Sequence, residues 1–68
     1  MNTQKIAENL KNLRISRGLS VKDAANAYGV GVSAVMMYEA GERIPRDEVK
    51  KRISIFYKKS VATIFFAD

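Results

Sequence analysis

A chain of 68 residues has room for one domain and a limited core. It contains no Cys and no His, which excludes disulfide bracing and thiolate zinc sites and removes the commonest catalytic acid–base and metal ligand. Twelve Lys and Arg against seven Asp and Glu leave a net charge of +5, which suits a nucleic acid or an acidic membrane surface and equally an ordinary solvated basic surface.

The spacing of apolar residues is helical almost throughout, punctuated by four Gly and one Pro. A first helix over about 3–17 places Ile6, Leu10 and Leu13 on one face, and Gly18 closes it. Ser20 begins the second helix with Asp23 three residues on, a variant of the capping box. Val21, Ala24, Ala25 and Tyr28 form its apolar stripe, and Gly29 follows where a tight turn requires a positive φ. A third helix over about 32–40 ends at Gly41. At helical spacing its residues Val35, Tyr38 and Glu39 share one side, Ser33, Met37 and Ala40 the other, with Val32 and Met36 on the flanks. Met36 is therefore expected in the core and Met37 outside it.

Pro45 breaks the chain, and Asp47 and Glu48 suit the start of a fourth helix because negative charge favours a helix N-terminus. Val49, Ile53, Phe56 and Tyr57 make its expected buried face. Ser60 caps a short fifth helix in which Val61, Ile64 and Phe65 point one way. Phe66 points elsewhere, either outward to a dimer interface or back onto the first helix. No repeat, linker or low-complexity stretch interrupts the series. The expectation is one all-α domain over 1–68, with a helix-turn-helix over about 20–40. No apolar run approaches the length of a membrane span, and the polar start MNTQKIAENLK is unlike a signal peptide, so a cytoplasmic location is expected.

Several residues recur in a recognisable order: Arg14, Gly18-Leu19-Ser20, Ala25, Gly29-Val30, Val35, Tyr38-Glu39, Gly41, Pro45, then Ser60-Val61 and Ile64-Phe65. This series resembles the Cro and lambda-repressor type of helix-turn-helix, the XRE family, over about 6–65. The resemblance implies a compact five-helix lambda-repressor-like DNA-binding domain whose third helix enters the major groove. It places Val32, Ser33, Met36 and Met37, with Gly31 at the helix start, at the base-contacting positions. It implies a structural ion pair between Arg14 and Glu39. It also sets Lys22, Arg43 and Arg46 where the DNA backbone is approached, and contacts of that kind orient a protein without reading sequence.

Three departures stand out. Bases are read directly mostly by Arg, Lys, Asn or Gln, and the third helix has none. Ser33 offers one weakly discriminating hydroxyl, while Val32, Met36 and Met37 suit thymine methyl groups. Val21 stands where the family commonly has Gln, and Gly31 where Ser or Thr is usual. A second basic cluster, Lys50, Lys51, Arg52, Lys58 and Lys59, reads as a solvated helix face.

The function implied is a small phage-type transcriptional regulator that binds operator DNA, as a homodimer across two half-sites, in a genetic switch. The alternative is an antirepressor, or modulator of repression, that docks its Met-rich third helix on a partner repressor. Glu42, Asp47 and Glu48 would then face that repressor's basic DNA-binding surface, with Phe66 a further contact. An antitoxin ranks lower, since no toxin-binding extension is evident. An enzyme is disfavoured: there is no phosphate loop and no close carboxylate pair in an evident pocket. The six aromatics fall mostly on core faces, which disfavours RNA stacking. No cofactor, metal, membrane or small-molecule partner is expected.

Overall fold

The computed structural model describes residues 2–66, and its first helix, α1 (Thr3–Ser16), opens on Asn2, whose side chain accepts from the Lys5 amide at 3.1 Å. The second helix, α2 (Val21–Tyr28), opens on Ser20 with both halves of the capping box formed. The Asp23 amide donates to Ser20 Oγ at 3.0 Å, and the Ser20 amide donates to the Asp23 carboxylate at 3.1 Å. Two amide donors that a helix start leaves without intrahelical partners are thus satisfied. α2 ends at Gly29, whose φ of 71° lies in the left-handed region that side-chain-bearing residues reach only at a cost. That turn leads into α3 (Val32–Glu39).

Pro45 is buried between α3 and α4 (Asp47–Tyr57), and α4 carries Asp47 and Glu48 in its first turn. A final segment, Ala62–Phe66, is wound as a π-helix rather than the α-helix that the sequence pattern predicts. Ser60 nevertheless caps it, accepting from the Thr63 amide at 3.0 Å. Asn9 of α1 ties the segment down by donating to the Ile64 carbonyl at 2.9 Å. The described residues form five helical elements and no strand.

Ile6 and Leu10 of α1, Ala24, Ala25 and Tyr28 of α2, and Val35 and Tyr38 of α3 converge on Val49, Ile53 and Tyr57 of α4, with Ile64 and Phe65 closing the core. Two of its tyrosines meet each other: the Tyr28 and Tyr57 hydroxyls are 2.6 Å apart and their rings pack edge to face at 5.9 Å. A buried hydroxyl without a partner is costly, and here each supplies the other's. Burial pushes both hydroxyls above the ordinary tyrosine pKa, and the shared hydrogen bond raises Tyr28 further.

Three expectations about burial are corrected. Phe56 is only half-buried, because its ring lies against the flank of Tyr57 at 4.9 Å while Tyr57 fills the core. Lys50 does not belong to a solvated basic face: it is 7% exposed, its ammonium 5.9 Å from the Phe65 ring centre and 5.3 Å from that of Phe66. Aromatic faces attract a cation, and the long aliphatic stem can be buried while the charge stays at the edge. Met36 is exposed rather than in the core, because Val35 and Tyr38 already occupy the inward edge of α3.

Candidate nucleic-acid interface

α3 is held by its inner edge. Val35 and Tyr38 are buried, and Glu39 accepts two hydrogen bonds from Arg14, Nε at 2.7 Å and Nη2 at 3.0 Å. A third bond, from Arg14 Nη1 to the Leu19 carbonyl at 2.9 Å, fixes the guanidinium to the loop before α2. The two side chains are 14% and 10% exposed, so this two-pronged pair is largely withdrawn from water. The hydrogen bonding to Glu39 holds the Arg14 proton more tightly than usual. One side chain thereby joins α1, the turn into α2 and the end of α3.

The outer face of α3 is free of such ties. Val32 is 42%, Met36 59% and Met37 40% exposed, and Ser33 and Ala40 are exposed beside them. Gly31 precedes the helix with ordinary extended backbone and no side-chain cap. The structure therefore brings Gly31, Val32, Ser33, Met36 and Met37 together on one solvent-facing surface.

Lys22 is exposed in the first turn of α2. Arg43 and Arg46 are exposed on either side of buried Pro45. Among the described residues no hydrogen bond or ion pair engages the side chain of any of these three. Arg43 and Arg46 share a polar concavity of about 310 Å³ with Arg52 and Glu48 of α4, bordered by Ala34 and Tyr38 of α3. Three arginines and one glutamate thus line a single concavity that α3 borders. Glu48 also lines a second hollow, with Asp47, Lys50, Lys51, Val61 and Phe66. Glu42 lines neither concavity. Phe66 is 54% exposed and lies by Lys50 of α4.

With this geometry in view, the sequence pattern of the HTH_3 family, described as Helix-turn-helix, matches residues 10–64. The chain belongs to the HTH_3 family. This HTH_3 domain is 31% identical over 55 residues to the cryptic phage CTXphi transcriptional repressor RstR of Vibrio cholerae, an alignment covering 81% of the chain and 50% of RstR. It is also similar to the crystal structure of an HTH_3 family transcriptional regulator from Vibrio cholerae, with 35% identity and a TM-score of 0.82 over the whole chain and 38% of that protein. The chain therefore spans half the length of the one and 38% of the other.

Two basic residues of this HTH_3 domain have roles that reading along the chain misses. Arg52 donates from Nε to the Tyr28 carbonyl at 2.7 Å, satisfying an acceptor at the end of α2 beside the Gly29 turn. A Cβ placed on Gly29 would lie 3.1 Å from that same Nε, so the bare glycine also makes room for the Arg52 bond. Arg17 donates to the Tyr57 carbonyl at 3.1 Å and lies 5.5 Å above the Tyr57 ring, joining the ends of α1 and α4. Neither partner is near in sequence, so no local spacing points to either contact. No helix among the described residues is long and apolar enough to cross a membrane.

Proposed function

We propose that the chain is a small phage-type transcriptional regulator that binds operator DNA through α3. The observation that carries this reading is the arrangement around that helix. α3 is locked to the core along one edge by Val35, Tyr38 and the Arg14–Glu39 pair, and its opposite face is open, with the unengaged cations Arg43 and Arg46 beside its C-terminal end. A rigid helix with one free face, next to positive charge, is what major-groove entry and phosphate contact require. Membership of the HTH_3 family and the similarity to RstR, named as a phage transcriptional repressor, support the same reading. Lys22, Arg43 and Arg46 supply affinity and orientation through phosphates, while the exposed face of α3 meets base edges. A second copy of the chain would double the contact across two half-sites about one helical turn apart.

Selection from a random duplex library at near-physiological salt tests the proposal. Enrichment of a defined motif, palindromic if the protein acts as a dimer, is the expected outcome; a pool that stays random overturns it. The phosphate role has its own measure. Arg43→Ala and Arg46→Ala should each lower the salt dependence of DNA binding by about one unit of slope. An unchanged slope would remove that residue from the interface.

One observation favours a second reading, a modulator of repression. The open face of α3 is apolar, and exposed Glu42, Asp47 and Glu48 follow it in the chain. Such a surface complements a basic repressor surface as well as an apolar patch. Co-purification with a repressor, lost on Met37→Asp, is the result expected of that reading.

A further inference from the structure

α3 presents bases with almost nothing that forms a hydrogen bond, yet the exposed, unengaged side chains of Arg43 and Arg46 follow it. We propose that this face recognises DNA through the C5-methyl groups of thymine. The ligand is then a duplex with thymines clustered where α3 enters the major groove. The inference rests on the DNA-binding reading above and deepens it.

Elimination over the exposed surface of α3 leaves its apolar side chains. Glu39 is the single acid of α3, but it is held by Arg14 on the inner edge and its side chain is only 10% exposed, so it does not face a cytosine amine. The Tyr38 side chain is buried. Ser33 remains, and a rotating hydroxyl both donates and accepts, so it separates bases weakly. What the face does offer is Val32 and Met36 in one row and Met37 in the next, all substantially exposed over the first two turns. In the major groove the thymine methyl is the apolar feature of the code, and it is met by apolar contact rather than by a hydrogen bond. Unbranched, polarisable methionine side chains adapt their shape to such a contact.

Charge decides between this ligand and a protein. Arg43 and Arg46, exposed and unengaged, share a concavity bordered by α3 with Arg52 and one carboxylate, Glu48. Lys22 is exposed on α2, and the chain carries a net charge of +5. The excess of positive charge attracts a phosphate backbone and works against docking on a repressor's basic DNA-binding surface, for which Glu42, Asp47 and Glu48 are the opposing acids. A surface that is apolar at its centre and cationic at its side fits a duplex read by its methyl groups.

The test replaces thymidine by deoxyuridine in the selected duplex, singly and together. The exchange removes the methyl group and keeps the base pair. Affinity is expected to fall about fourfold for each contacted methyl, as for one buried methyl-sized group, and to stay constant at other positions. Met37→Ala should weaken binding to the thymine duplex and abolish the penalty for uracil at the position Met37 touches. Met36→Ala gives a second, independent cycle, and thermal melts of both variants check that the fold is intact. Equal binding of uracil and thymine duplexes, with the selected motif still bound, overturns methyl recognition and leaves DNA binding standing. A selection that enriches nothing overturns both, and retention on a repressor through Met36 and Met37 would then assign the face to protein docking.

Discussion

Along its inner edge α3 has every group engaged: Val35 and Tyr38 in the core, Glu39 grasped by Arg14. On its outer face, a single residue away along the chain, Val32, Ser33, Met36 and Met37 are exposed to solvent. The difference shows how an eight-residue helix, too short to be stable alone, is anchored along one edge while the other stays open. Fixing one edge orients the other, so stability and ligand contact should respond to different substitutions.

The largest effect is expected from the inner edge. Glu39→Ala strands the Arg14 guanidinium in a largely buried position and should cost about 3 kcal/mol in a denaturant melt. A cost below about 1 kcal/mol would class the pair with ordinary surface ion pairs and weaken the contrast between the two faces.

The tyrosine pair beneath α2 gives the contrast a pH dependence. Both folded-state hydroxyls titrate above the ordinary value near 10, so the unfolded chain releases these protons first. Their contribution is complete well below pH 10 and declines as pH rises through the unfolded-state value towards the folded-state values. A variant carrying Tyr28→Phe and Tyr57→Phe should lose that part of the alkaline decline, measured by melts between pH 9 and 11. An identical decline in the variant would show that other groups govern it.

Smaller changes probe the rim and the outer face. A Cβ at Gly31 meets nothing within 4 Å, and the backbone there already has the extended shape of a cap. Gly31→Ser should therefore supply the missing side-chain cap and stabilise the fold by a few tenths of a kcal/mol. Met37→Asp should leave the melting temperature nearly unchanged while abolishing binding at α3. A substantial loss of stability would show that the outer face also supports the fold.

Much of the architecture was legible in the residue pattern. The Ser20–Asp23 capping box, the turn at Gly29, the inward set Val35 and Tyr38, and the acidic start of α4 all follow from neighbours within one helical turn. The Arg14–Glu39 pair was legible only by resemblance, since its members lie 25 residues apart. Met36 was misread because helical projection gives an angle, not the depth to which neighbouring helices rise around it. Lys50 was misread because a lysine among basic neighbours looks solvated until Phe65 and Phe66 fold over it.

The sequence by itself determined where most helices start and stop and the centre of each inward edge, because caps, glycine conformations and apolar periodicity act over three or four residues. Only the tertiary structure decided which polar groups meet across the core. The Tyr28 and Tyr57 hydroxyls, the Arg52 bond to the Tyr28 carbonyl and the cage around Lys50 join residues distant in the chain. Such contacts exist only once packing has set distance and direction, and no local pattern encodes those two quantities.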